Sequence, residues 1–184
     1  EKITCSSPIV VSSTTEILSR ETVQQLNDSE SGKKDKAYTA DRIQSALKEI
    51  TLSIDSIRTS KEEPGSTKVQ CAATLKITTS EKFHADAAEG SKLLKVSEEL
   101  DTYARRQGFE YANKTFSKQI SYEFQPTDDG SKVITSVQEA KPIADFVSNL
   151  MAAAIIKPLL AEAKAVTAPS TEDRQEDKIA KAKL

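Results

Sequence analysis

The chain has 184 residues, enough for one domain with a substantial core but too few for two large ones. Its 28 acidic and 26 basic residues nearly balance, so composition predicts no basic surface for nucleic acid. Hydrophobic residues make up 37% of the chain. No apolar run reaches the roughly 18 residues that cross a bilayer, so we predict no membrane-spanning segment.

The first predicted element is a helix over residues 9–27. Ser7-Pro8 fits its start, because proline is favoured at the first helical position. Ser13-Thr14-Thr15-Glu16 is a second candidate start, since it fits a capping box. The polar residues that follow, up to Lys36, indicate an exposed loop.

A short helix and a strand are predicted next. Thr39 is a suitable N-cap, and Tyr38 and Ile43 have the spacing of a hydrophobic staple. The apolar period then changes to two, which predicts a half-buried strand through Ile50, Leu52 and Ile54. Ile57 has the opposite parity, so we expect a bulge or strand end near Asp55.

Two hairpins are predicted, because turn residues separate segments in which apolar and polar residues alternate. The first turn contains Pro64-Gly65 and leads into a strand whose apolar face holds Val69, Cys71, Ala73, Leu75 and Ile77. The second hairpin has Phe116, Ile120, Tyr122 and Phe124 on one parity, interrupted by Lys118. It turns at Thr127-Asp128-Asp129-Gly130 and returns through Val133, Thr135 and Val137.

Residues 80–115 between the hairpins are mixed and look like an insertion. One helical face is predicted there through Leu93, Val96, Leu100 and Tyr103, with Gly108 as its stop. A last helix opens at Pro142 with a broad apolar stripe, and Pro158 should kink or end it. We therefore predict one domain over residues 1–166 and a polar, flexible tail over 167–184.

The predicted fold class is α+β. Two helix–strand–strand units pair into an antiparallel sheet of about four strands, with the helices packed on one face. Cystatin-like and NTF2-like folds have this kind of architecture. A curved sheet of this type can enclose an apolar pocket, and its candidate lining residues are Tyr122, Phe124, Phe146 and Met151. Ordinary core packing is the other interpretation of these four residues.

Cys5 and Cys71 are the two cysteines of the chain. An even pair without further metal ligands is compatible with one disulfide, which would indicate an oxidising compartment. Two free thiols, or a lipid-modified Cys5, are the alternatives. Lys2-Ile3-Thr4 matches a lipid-modification motif poorly.

The residues predict neither catalysis nor a metal or other cofactor. His84 is the single histidine, and no nucleophile motif accompanies it. Cys5, Cys71 and His84 do not have zinc-site spacing, and Asp128-Asp129-Gly130 is too short for a calcium loop. The adjacent carboxylates Glu62-Glu63 and Glu98-Glu99 are interpreted as solvated charge. A hydrolase that uses His84 or a carboxylate pair remains the least favoured hypothesis.

Several segments together carry a resemblance. They are Cys5-Ser6-Ser7-Pro8, Cys71-Ala72-Ala73-Thr74-Leu75, Ile120-Ser121-Tyr122 and the turn at Thr127–Gly130. Over residues 5–79 and 116–140 the chain resembles uncharacterised bacterial proteins in which a secreted domain with strand pairs follows an N-terminal membrane anchor. The resemblance implies a periplasmic or extracellular location, a tether before Glu1 and the Cys5–Cys71 bond. It implies no site residues.

The favoured function is a non-catalytic, extracytoplasmic interaction domain. It would bind a protein or cell-envelope partner, for example as an inhibitor or assembly factor, through its sheet or sheet edge. Residues 143–160 of the apolar last helix could also form a homodimer interface. The alternative is a carrier of a small apolar ligand, with the pocket between sheet and helices.

Overall fold

A computed structural model describes residues 2–28, 37–93 and 99–167. In chain order the elements are α1 (Pro8–Asp28), α2 (Ala40–Lys48), β1 (Ile50–Glu62), β2 (Val69–Thr79), α3 (Glu81–Leu93), α4 (Leu100–Arg106), β3 (Glu110–Ala112), β4 (Thr115–Pro126), β5 (Val133–Val137) and α5 (Ala140–Thr167). The predicted α+β class is confirmed.

The five strands form one antiparallel sheet. Its order is β1-β2-β4, and β3 and β5 share the outer edge of β4. β3 pairs with the start of β4 at Thr115–Ser117, whereas β5 pairs with its end at Tyr122–Pro126. Both predicted hairpins are confirmed, with positive φ at Gly65 and Gly130 in their turns.

The predicted irregularity near Asp55 is a β-bulge. The pairing of β1 with β2 shifts register between Asp55 and Arg58, and Ser56 has a φ of 51°. The extra residue of the bulge shifts the alternation of the strand by one position. Ile57 therefore lies on the half-buried face, although its parity differs from that of Leu52 and Ile54.

The start of α1 is confirmed at Pro8, so the alternative start at Ser13 is wrong: the Ser13–Glu16 segment lies inside the helix. Thr14 and Thr22 on its buried face donate their hydroxyls to the carbonyl oxygens of Val10 and Leu18, one turn earlier. These bonds satisfy the two hydroxyls without an outside partner, which is why threonine is tolerated there. The N-cap role of Thr39 is also confirmed, since its side chain accepts from the Arg42 N–H.

The described residues of the segment 80–115 contribute to the core. It holds α3, α4 and the start of the β3–β4 hairpin, and α3 packs along α5. The predicted helical face is wrong at Leu93, which is 53% exposed, whereas Leu100 and Tyr103 are buried. Val96 lies outside the described residues.

The predicted stop at Gly108 is confirmed. Its φ is +79°, its N–H donates to the carbonyl of Arg105, and the N–H of Phe109 donates to the carbonyl of Ala104. These two bonds make a Schellman motif at the end of α4.

Helix α5 continues through Pro158 to Thr167, so of the two predicted effects of this proline, a kink or an end, the end is wrong. By length and composition its Ala140–Ala163 stretch could cross a membrane, but 56% of the most apolar part is buried inside the fold. Its contacts with α1 and α3 are those of a core helix. Apart from Thr167, the predicted tail lies outside the described residues.

Candidate functional site

The two cysteines hold the N-terminal segment against the sheet. Their Sγ atoms lie 2.04 Å apart, at disulfide bonding distance, and their Cα atoms lie 5.8 Å apart. The Tyr122 hydroxyl, beside Cys71 in the register of β2 and β4, donates to the carbonyl of Cys5 at 3.0 Å. Burial raises the pKa of Tyr122, so this donor keeps its proton.

The four candidate pocket residues are placed in the packed core. Tyr122, Phe124, Phe146 and Met151 are each at most 1% exposed. Phe146 stacks on Phe109 at 4.1 Å between ring centroids and meets the edge of Phe116 at 5.2 Å. Phe124 also lines a small surface cleft of about 290 Å³ beside Val69 and Pro126. These four residues are therefore packed in the core of the fold.

A groove between α2, α3 and α5, which we call the helical groove, is the most apolar cleft described. Its volume is about 380 Å³, within the range of natural ligand and side-chain pockets. The floor is apolar and consists of Ala46, Phe83, Ala154, Ile155, Pro158 and Leu159. The rim carries Arg42, Ser45, Glu49, Lys82, Asp86 and Glu162.

The charges of the rim are unevenly satisfied. Lys82 pairs with Asp86 at 2.5 Å, and beside the groove Lys157 pairs with Glu89, whose carboxylate raises the lysine's pKa. Within the described part of the chain, the exposed Glu49 and Glu162 carboxylates have no ion-pair partner. The groove thus combines an apolar floor with a rim that carries two carboxylates without an ion-pair partner in the described part of the chain.

The groove as a whole was not predicted, because three segments far apart in the chain supply its walls, although its α5 floor residues lie within the segment 143–160 proposed from sequence as a homodimer interface. Each wall nevertheless follows helical spacing. Arg42 and Ala46 share a face of α2 that continues to its C-cap residue Glu49, and Ile155, Leu159 and Glu162 share a face of α5. The sequence did contain one signal for the groove. The apolar stripe of α5 continues beyond the buried part of the helix into half-exposed residues.

Several side chains on the polar face of the sheet pair with one another. Lys76 pairs with Asp55 at 2.5 Å and Lys68 with Glu123 at 2.7 Å. The Gln119 amide donates to the Thr74 hydroxyl at 2.7 Å. As predicted, this face lies away from the helices, and its side chains are mainly polar.

His84 lies on α3 against the β3–β4 hairpin. Its Nε2 is 2.9 Å from the Tyr111 hydroxyl, whereas its Nδ1 is buried without a hydrogen-bond partner. Desolvation, with the nearby Lys114 ammonium as a smaller cause, lowers the pKa of His84, and Glu81 opposes this. Lys114 and Glu81 form an ion pair at 2.5 Å across the same junction.

The described residues contain no group of three His, Cys, Asp or Glu side chains that could hold a metal ion. The carboxylates predicted to be solvated charge are exposed and paired with lysines where they are described: Glu62 with Lys2, Glu63 with Lys61, and Glu99 with Lys92. Glu98 lies outside the described residues.

The chain was compared with protein-family models, with curated proteins and with solved structures. No family model matches it. Neither the curated proteins nor the solved structures gave a match.

Proposed function

We propose that this protein is a non-catalytic interaction domain of an oxidising, extracytoplasmic compartment, and that it binds a protein partner through the helical groove. The observation that carries the proposal is the groove's construction, an apolar floor enclosed by three helices with a charged rim. Protein interfaces share this arrangement of an apolar centre and a polar border.

The occupant that fits best is an amphipathic helix of the partner. Helix-in-groove recognition places a row of apolar side chains in a cleft between helices, and charged residues flank that row. Because Glu49 and Glu162 lie on the rim without ion-pair partners in the described chain, we expect lysine or arginine beside the partner's apolar row.

The compartment is supported by the Cys5–Cys71 pair. Disulfides persist in secreted and periplasmic proteins and are rare in the reducing cytosol. The resemblance to membrane-anchored bacterial domains points to a periplasmic or extracellular location with a tether before Glu1. A role as an inhibitor or assembly factor is compatible with such a location.

Peptide selection under non-reducing conditions tests the proposal. A random peptide library is displayed on phage and selected against the full chain, with Ser45→Trp for counter-selection. Ser45 is exposed on the rim, so tryptophan there blocks the groove without entering the core. We expect amphipathic helical peptides with basic flanks that bind the wild-type chain and lose at least about tenfold in affinity for Ser45→Trp.

Two matched controls separate the groove from general surface effects. Gln44→Trp puts the same side chain at the next exposed position of α2, away from the groove lining, and should bind normally. Glu49→Lys with Glu162→Lys should weaken binding, whereas Glu110→Lys with Asp128→Lys changes the net charge equally at exposed sites elsewhere. Enriched peptides that bind Ser45→Trp as well as wild type would contradict the proposal.

A further inference from the structure

His84 links the helical groove to the β3–β4 hairpin. Phe83, the neighbouring residue on α3, belongs to the groove floor, and Lys82 and Asp86 on the same two helical turns belong to its rim. The opposite side of these turns is held by two contacts, His84 Nε2 with the Tyr111 hydroxyl and Glu81 with Lys114. The position of this wall therefore depends on the junction between α3 and the hairpin.

Protonation of His84 opposes that junction. The neutral tautomer in which Nε2–H donates to the Tyr111 hydroxyl leaves the buried Nδ1 without a proton, so the nitrogen that lacks a hydrogen bond is a bare acceptor and not an unpaired N–H. In the imidazolium both nitrogens carry protons, so Nδ1–H would be buried without an acceptor.

The groups that face the ring do not remove this cost. Lys114, from the hairpin turn, repels the imidazolium, and Glu81, from its own helix, attracts it but already pairs with Lys114. Tyr111 faces the ring from β3, and burial together with Asp101 of α4 raises its pKa, so the phenol stays protonated. Phe116, from β4, contributes an aromatic face at 6.2 Å between ring centroids and no charge.

We propose that His84 is an acid-sensitive switch for the helical groove: its protonation loosens the N-terminal half of α3 from the β3–β4 hairpin and weakens partner binding. The proposal rests on the proposed function of the groove. The remainder of α3 stays attached, because Gly90 packs against Ala153 of α5 independently of the ring.

The first experiment reads the junction without any ligand. Because the chain has a single histidine, one imidazole signal in the proton NMR spectrum of the full chain belongs to His84. We expect it to titrate below its ordinary pKa of 6.5. Amide exchange of residues 81–86, corrected for intrinsic rates, should accelerate through the same pH interval. In His84→Gln, exchange over that interval should stay flat.

The second experiment measures affinity for one selected peptide at about pH 7.5 and at a pH below the midpoint of the His84 titration found in the first experiment. Wild type should lose at least about fivefold in affinity at the lower pH. His84→Gln should lose less affinity. The pH dependence that remains in this variant measures the contribution of every other titrating group in the complex.

The outcomes separate the two proposals. If the peptide binds the groove but wild type and His84→Gln show the same pH dependence, the switch is overturned and the groove function stands. If residues 81–86 loosen with His84 protonation but no peptide binds the groove, the groove function is overturned and its regulation falls with it.

Discussion

At the scale of single residues, the contact between Tyr122 and Cys5 is the most consequential buried hydrogen bond of the N-terminal segment. The hydroxyl crosses from β4 to the backbone of a segment 117 residues earlier in the chain. We expect Tyr122→Phe to lower the free energy of unfolding by about 1–2 kcal/mol, because the Cys5 carbonyl would lose its buried donor. Urea denaturation without reductant measures this.

Tyr111→Phe is the control for that substitution. Its hydroxyl bonds to His84 at a half-buried site that water can reach, so the loss should be smaller. Equal losses of unfolding free energy in the two variants would show that the hydrogen bond to Cys5 stabilises the fold no more than the hydrogen bond to His84.

Asp129 gives the turn of the second hairpin a pH dependence of its own. The Thr127 hydroxyl and the N–H and hydroxyl of Ser131 donate to its carboxylate, which lowers its pKa from 3.8 to about 2. Because the folded-state pKa is below the unfolded one, this stabilisation is present above pH 3.8 and is lost as pH falls towards 2.

The contribution of His84 to stability changes with pH in the same direction but over a different pH interval, since the folded-state pKa of His84 is also lowered. Its contribution is complete above about pH 6.5 and is lost as pH falls below that value. The free energy of unfolding, measured by urea denaturation at a series of pH values, should therefore show two separate declines. His84→Gln should remove the upper decline, and Asp129→Asn should reduce the lower one. A single decline unaffected by His84→Gln would contradict this assignment.

At the scale of elements, the fit of α3 against α5 depends on Gly90. A Cβ built on this residue would lie 1.9 Å from the Ala153 carbonyl oxygen, so any side chain must push the two helices apart. Glycine to alanine ordinarily stabilises a helix by about 1 kcal/mol. Here we expect Gly90→Ala to destabilise the protein by about 2 kcal/mol.

Thermal unfolding of Gly90→Ala checks this prediction. Ala85→Ser, on the exposed side of the same helix, serves as control and should change stability by less than about 0.5 kcal/mol. A Gly90→Ala variant as stable as wild type would mean that α3 and α5 are not packed this closely.

The elements that could be predicted from the sequence were those with a strong local signal. Alternation marked β1 and β2, parity marked the bulge, and glycine turns marked both long hairpins. β3 was missed because it has three residues and its turn, Asn113-Lys114, has two positive φ angles without a glycine. α3 was missed because Ala87, Gly90 and Ser91 on its buried face do not resemble an apolar stripe.

At the scale of the whole molecule, the Cys5–Cys71 bond closes a loop of 66 residues between the N-terminal segment and the sheet. Loop entropy alone predicts a contribution of roughly 4 kcal/mol to stability. Cys5→Ala with Cys71→Ala should therefore lower the free energy of unfolding by at most about this amount. Urea denaturation of the double variant, beside the reduced wild-type chain, measures it.

Thiol counting is the direct check on the bond. The full chain, denatured without reductant, should show no reactive thiol by mass spectrometry. Two reactive thiols would remove the main physical support for an oxidising compartment. The sequence could propose this pair because two cysteines allow a single intramolecular pairing.

The helical groove is a feature of the whole molecule, and features at this scale are the hardest to predict from sequence. Its walls come from α2, α3 and α5, and their juxtaposition depends on how α3 and α5 cross the fold. The four candidate residues chosen from sequence share the aromatic and apolar character of pocket linings. The same character fills cores, and no local pattern distinguishes the two uses.

The most direct test of the central claim is an amide chemical-shift map of a selected peptide bound to the isotope-labelled full chain. The groove account predicts that perturbed residues cluster in α2, in the first two turns of α3 and at 154–162 of α5. Perturbations centred on the polar face of β2 and β4, around Thr74 and Gln119, would contradict it and assign recognition to the sheet.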